Sequence, residues 1–317
     1  MNEQPDFHLY AGDGTVIAPG ALPLFDPGPD EQLNEPADYL AEPGLRNAVN
    51  VALALGHPLL LTGEPGTGKT QLSASLAHSL GLGKPLEFHV KTTSTARDLF
   101  YRYDSLGHFH RERGAKIEAY LEYEALGLAV LLSLDPALVA DMLPADRRVG
   151  SSTRSVVLID EIDKAPRDLP NDVLNEIERM EFTVRETSQT WRADKRYRPI
   201  VVLTSNSEKN LPDAFLRRCV FYHIEFPDRD ALRKIIQRRV RLSSAFSPDM
   251  LDAALARFAE IREMRLKKAP ATAELLAWVR ILDRLQIDVN AHGAAEALAF
   301  SYSALAKNED DLKMMRG

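Results

Sequence analysis

Cysteine is almost missing from this chain. Cys219 is the single one in 317 residues, so no intrachain disulfide can form and nothing points to an oxidising compartment. Also lacking is any apolar run near the roughly 18 to 20 residues that a membrane span needs, and the first thirty residues carry no basic-then-apolar leader. The expected location is therefore the cytoplasm, with no membrane span. Net positive charge is absent too: the formal charge is −7, which argues against a general nucleic-acid binder and leaves only a local basic groove as a route to one. Internal repeats and low-complexity segments are not seen. What remains is an ordinary globular composition, 45% hydrophobic and 27% charged, in a chain long enough for two domains.

The most informative stretch is Gly63-Glu64-Pro65-Gly66-Thr67-Gly68-Lys69-Thr70, followed by Gln71. It fits GxxxxGK[ST], a glycine-rich loop whose backbone N–H groups wrap phosphates and which opens a helix with its positive dipole end toward the anion. Gly63, Gly66 and Gly68 permit tight turns, Lys69 brings a mobile charge to the phosphates, and the Thr70 hydroxyl suits Mg²⁺. A glycine turn with a helix cap would also read this way in isolation. The flanks decide: Pro58 to Thr62 is a short apolar strand, and Leu72, Leu76 and Leu80 recur at helical spacing up to Gly81.

A second stretch, Ser155 to Glu161, runs four apolar residues into Asp160 and Glu161, about ninety residues beyond the loop. That arrangement delivers one carboxylate to Mg²⁺ and another to an attacking water. A third apolar strand, Ile200 to Leu203, ends in Thr204-Ser205-Asn206, which puts the Asn206 amide at the strand edge where ligands bind in open α/β sheets. Arg217 and Arg218 close a short segment from Leu211, ahead of a strand at Val220 to Phe226.

Around these, residues 1–40 are rich in proline and acids and read as an extended arm anchored by Leu22, Leu24, Phe25, Tyr39 and Leu40. Leu45 to Leu55 and Pro170 to Met180 read as helices, Ile117 to Leu134 as one core-facing helix, Leu86 to Val90 as a strand, and Glu181 to Arg198 as a β-hairpin. Residues 135–154 read as a surface insertion. In the segment 92–112, Phe100, Arg102, Tyr103 and His108 either stack on bases or anchor an insert that touches a neighbouring subunit or partner. His108 and His110 make a weak metal signal. Residues 228–317 hold only amphipathic helical patterns, a small all-α domain.

In this order the motifs resemble those of an AAA+ ATPase, most closely the MoxR group, over about residues 41–300. The resemblance implies an α/β P-loop NTPase core at 41–227, a three-layer sandwich on a five-stranded parallel sheet, with insertions near 92–112, 135–154 and 181–198, and a helical lid at 228–317. It implies ATP and Mg²⁺ as cofactors, Gly63 to Gln71 and Asp160 as nucleotide-binding residues, and Thr70 and Asp160 on the metal. Glu161, Asn206 and Arg218 fall where the family places its Walker B glutamate, sensor 1 and arginine finger. It further implies a ring, typically a hexamer, that remodels a protein client beside a von Willebrand factor A domain partner. One departure stands out: where the family has Ser-Pro-Arg in the lid, this chain has Thr272-Ala273-Glu274, leaving Arg280 or Lys267 and Lys268 as substitutes. A second is the length of residues 135–154.

Three functions follow: a ring ATPase that remodels protein, a nucleotide-dependent switch or scaffold with slow turnover, and a DNA-stimulated motor resting on Arg97, Arg102, Arg111 and Arg113. The missing lid arginine favours the second. No guanine-reading NKxD-type motif is evident.

Overall fold

The structure, a computed structural model, describes residues 35–110, 117–166, 168–207, 211–291 and 294–316. Two compact units are formed, one from Tyr39 to Glu225 and one from Phe226 onward, which also takes in the described residues 35–38. Leu22, Leu24 and Phe25, the expected arm anchors, lie outside the described residues, as do Arg111 and Arg113.

The first unit is built on five parallel strands: β1 (Leu59–Gly63), β2 (Leu86–His89), β5 (Val156–Asp160), β8 (Ile200–Ser205) and β9 (Val220–Ile224), in the order β2-β5-β8-β1-β9. The three inner strands are near-continuous apolar runs because both their faces are covered. Leu60, Val157, Ile159, Val201 and Leu203 point into one layer of core; Leu59, Leu61, Val156, Leu158 and Val202 point into the other. The edge strand β2 alternates instead, burying Leu86 and Phe88 and exposing Glu87 and His89. Helices Pro43–Leu55 and Lys69–Ser79 cover one face; helices Ala125–Leu132 and Leu169–Arg179 cover the other. This is the α/β three-layer architecture with a five-stranded parallel sheet that the resemblance implies.

The expected helix over Ile117 to Leu134 is broken. Residues Ile117–Tyr120 form a 3₁₀ turn, β4 (Leu121–Tyr123) pairs antiparallel with β3 (Tyr101–Tyr103), and the helix starts only at Ala125. The tyrosines explain it: Tyr101 lies opposite Tyr123, and cross-strand packing outweighs local helical preference. Arg102 Nε pairs with Glu124 Oε1 at 2.9 Å just before the helix. The hairpin is present as β6 (Glu181–Val184) and β7 (Gln189–Arg192), and its Phe182 ring stacks on Phe100 at 5.1 Å. Phe100 is thus buried, not free to stack on a base, and His108 lies against Tyr120 and Tyr103. The 135–154 insertion is also packed: Val139 and Leu143 are buried, and Ser152 donates to the Leu134 carbonyl at 2.9 Å.

The second unit is helical throughout its described residues, with helices Arg229–Arg239, Pro248–Glu263, Thr272–Arg284, Ala295–Ser301 and Glu309–Arg316. Its core surrounds Trp278, whose indole N–H donates to Ser301 Oγ at 2.8 Å. Asp311 is buried and accepts from the backbone N–H groups of Lys267 (2.7 Å) and Lys268 (3.0 Å), which fixes that loop.

Helix Ala125–Leu132 sits so close to Phe100 that a Cβ on Gly127 would lie 2.0 Å from the Phe100 carbonyl oxygen. Gly127→Ala is expected to destabilise the chain by about 1–3 kcal/mol, read as a lower urea midpoint; an unchanged midpoint would contradict this packing. Burial pushes the Cys219 thiol up to about 12. Iodoacetamide at pH 8 should therefore modify it more slowly in the native chain than in urea, and equal rates would contradict the half-buried environment.

Candidate functional site

Because the five strands are parallel, their C-terminal ends share one edge of the sheet, the edge at which ligands bind in such folds. Gly63 closes β1 there, His89 closes β2, Asp160 closes β5 and Ser205 closes β8. The loop after β1 turns through positive φ at Gly63 (146°), Gly66 (78°) and Gly68 (86°). A Cβ on Gly63 would stand 2.4 Å from the Ile224 carbonyl oxygen, so glycine is required by contact as well as by backbone angle. Glu64, Pro65 and Gly66 form the exposed outer turn; Thr67 is buried and donates to the Glu64 carbonyl at 2.9 Å. Gly68 is the N-cap of helix Lys69–Ser79, so the helix begins inside the loop and aims its free N–H groups at the loop's hollow. Gln71 is partly buried in the first turn.

Lys69 is 7% exposed, and its ammonium donates to the carbonyls of Gly63 (2.8 Å) and Glu64 (2.9 Å). Burial lowers its pKa, against the raising pull of Asp160, Asp163, Glu161 and Glu64. Four carboxylates around one buried lysine leave an excess of negative charge, which a divalent cation would offset. The Thr70 hydroxyl donates to Asp160 Oδ1 at 3.1 Å. A hydroxyl and a carboxylate oxygen at that separation are the hard donors that Mg²⁺ takes. The glycine cradle, the buried lysine and this oxygen pair fit a magnesium-bound nucleotide.

The other predicted residues converge on the same edge. Glu161 follows Asp160 in the left-handed region (φ 59°, ψ 49°), which re-aims its side chain away from the strand. Asn206 Nδ2 donates to Glu161 Oε1 at 3.4 Å, and its backbone N–H donates to Asp163 Oδ1 at 3.3 Å. Arg218 is not in this group. It precedes β9, at the opposite edge, where it is half-exposed and meets Asn175 Oδ1 at 3.5 Å and Glu178 Oε2 at 4.0 Å.

Three further residues belong to the site and were not singled out from the sequence. Thr204, 1% exposed, donates to Asp160 Oδ1 and accepts from the Glu161 backbone N–H at 2.9 Å, so one hydroxyl ties both acids. Lys164 Nζ forms a close ion pair with Glu161 Oε2, and that carboxylate holds the lysine pKa up. His89 Nδ1 stands 3.3 Å from Asp160 Oδ2. The available signal was positional: Thr204 ends an apolar strand beside Asn206, and His89 ends another. In the second unit, Glu274 Oε2 accepts from the Ala271 backbone N–H at 3.0 Å while Oε1 pairs with Lys307 at 3.0 Å. The residue standing where an arginine was expected is therefore committed to a helix start.

A family model described as "AAA domain (dynein-related subfamily)" matches residues 58–219, more than half of the chain. No curated protein matches it. Among the described residues, no helix is long and apolar enough to cross a membrane.

Thr204→Val removes the hydroxyl at nearly constant volume and leaves the Glu161 N–H without an acceptor. A loss of about 1–3 kcal/mol is expected in chemical denaturation, with Thr204→Ser close to the parent; equal losses in both would show that the hydroxyl is not what matters.

Proposed function

The chain belongs to the AAA domain family, in its dynein-related subfamily, a nucleotide-dependent ATPase domain; on that premise we propose that it hydrolyses ATP at the subunit interfaces of a ring to remodel a protein partner, as in the MoxR group. The observation that carries the reading is the convergence of Lys69, Thr70, Asp160, Glu161 and Asn206 on one sheet edge, beside a helix N-terminus. Lys69 turns from the loop carbonyls to the β- and γ-phosphates, and the backbone of Gly63 to Thr70 wraps them. Thr70 and Asp160 hold Mg²⁺, which when bound supplies charge neutralisation on the phosphate oxygens. Glu161 takes the proton of the attacking water and Asn206 orients it.

Arg218 completes the site of a neighbouring subunit. Its own β9 is five residues long, about 16 Å of extended chain, and all five strands run the same way. That geometry keeps Arg218 away from the Glu161 of its own chain and is what supports its action across an interface. An arginine finger contributes roughly 10³–10⁵ in rate, so turnover follows assembly. The partner is proposed to be a protein client or a von Willebrand factor A domain protein, and the chain's location the cytoplasm. A second reading, a nucleotide-dependent switch with slow turnover, is favoured by one observation: Glu274 and Lys307 occupy each other in the helical unit.

Lys69→Ala is expected to reduce hydrolysis to background. Mixing Glu161→Gln chains, which keep the finger, with Arg218→Ala chains, which keep the site, should restore hydrolysis above either alone; no recovery would sink the assignment in trans. Strong stimulation by DNA would favour a nucleic-acid motor instead. Slow turnover with nucleotide-dependent assembly, seen by sizing with and without ATP, would favour the switch.

A further inference from the structure

At the edge of the sheet opposite the glycine loop, the chain encloses a cavity of about 320 Å³. It lies where helix Leu169–Arg179 ends, β7 leaves the hairpin and the 3₁₀ turn Lys195–Tyr197 leads into β8. Arg179, Arg192, Lys195 and Arg198 line it, with the carboxylates of Glu178 and Asp194, in a chain whose formal charge is −7. The acids there are already committed. Arg192 Nε donates to Glu181 Oε2 at 2.8 Å and Arg179 Nη1 reaches Oε1 of the same carboxylate at 3.4 Å, so two guanidinium groups share one charge. Asp194 Oδ1 accepts from the Arg196 backbone N–H at 2.7 Å, which starts the 3₁₀ turn. Arg198 Nη2 donates to the carbonyls of Ile177 (3.1 Å) and Glu178 (3.0 Å), closing the helix end with one of its three nitrogens. Lys195 has no partner among the described residues.

Burial pushes the Arg198 guanidinium below its ordinary value, and Glu178 is the charge that pulls it back. Glu178 is itself divided, since its carboxylate also stands 4.0 Å from Arg218. A half-buried arginine and an unpartnered lysine in one recess therefore hold positive charge that the surrounding acids do not balance. Guanidinium forks and an ammonium are the groups that grip phosphate oxygens. We propose that this recess is a phosphate site, taking a compact phosphoryl-bearing anion on Arg179, Lys195 and Arg198 while Arg192 stays with Glu181. Its size supports that class: ligand cavities run from roughly 300 to 1,000 Å³, and this one is at the small end, so it suits a small anion. A dianion also answers the surplus charge better than the single charge of a carboxylate. The site shares no residue with the glycine loop or the acids at the other sheet edge, and it goes beyond the hydrolytic reading without resting on it.

The test uses the full chain without nucleotide and reads acetylation of individual lysines by an N-hydroxysuccinimide ester, by mass spectrometry. Inorganic phosphate, pyrophosphate and glycerol phosphate are added in turn at constant ionic strength, with chloride as the reference. Phosphate is expected to slow acetylation of Lys195 about threefold or more once it exceeds its dissociation constant about twofold, and to leave the exposed Lys84 unchanged. A stronger effect of glycerol phosphate than of inorganic phosphate would identify the phosphoryl group of an organic ligand as the occupant, and the reverse order would identify the free ion. Arg179→Gln, at a side chain 71% exposed and so expected to fold, should remove most of the slowing at Lys195. Arg198→Gln should remove it too, and Arg179→Gln decides if the loss of the helix-end contacts unfolds that variant. Lys69→Ala should behave like the parent; loss of the slowing there would mean that the effect comes from the glycine loop, which overturns the proposal. Equal slowing of Lys195 and Lys84, or none at either, would overturn it as general screening or as an empty recess. Slowing by a polyglutamate peptide but not by phosphate would assign the recess to a carboxylate-bearing partner and overturn it as well.

Discussion

Thr204 binds two carboxylate-bearing residues through one buried hydroxyl, and the geometry of the site depends on it. The parallel register between β5 and β8 sets Ile159 against Leu203, so the next pair along is Asp160 and Thr204. At that point the pairing of β5 with β8 ends, while β8 stays paired with β1. The hydroxyl bridges the gap, donating to the Asp160 side chain and accepting from the Glu161 backbone. A slip of one residue in β8 would turn the hydroxyl to the other face and unpair both acids. The apolar residues of β5 and β8, which fill both layers of the core, are what prevent that slip.

The direction of the strands then divides the functional residues into two groups. Everything after a strand gathers at one edge, and everything before a strand lies at the other. Lys69, Asp160, Glu161 and Asn206 end or follow strands, whereas Arg218 precedes one. One chain consequently carries the glycine loop and the acids at one edge and Arg218 at the other, where Asn175 and Glu178 contact it.

Both additions to the sheet meet in a single aromatic cluster. Phe182 of the hairpin packs on Phe100, Tyr101 and Tyr123, and the Tyr101 hydroxyl accepts from the Arg185 backbone N–H at 2.9 Å. The β3–β4 ribbon and the β6–β7 hairpin are thereby joined along β6. The hairpin in turn follows helix Leu169–Arg179, whose Val173, Leu174 and Ile177 lie in the core beneath it. Phe100, which looked available to a ligand, is spent on this junction.

Residue order by itself determined the glycine loop, the acid-ended strand, the amide-ended strand and the helical character of the second unit, because each is a local pattern with a local physical cause. Glycines at positive φ, a lysine after them, and apolar runs closed by carboxylates read the same in a sequence as in a fold. Tertiary structure alone decided the rest. It broke the long helix after Ile117, since the partner of Tyr123 is twenty-two residues away in β3. It also spent Glu274 on a helix start and Lys307 rather than a phosphate, and brought Thr204, Lys164 and His89 to the acids. Those three are ordinary residues in the chain, and they gain a role only where parallel pairing ends and side chains from separate strands must share hydrogen bonds.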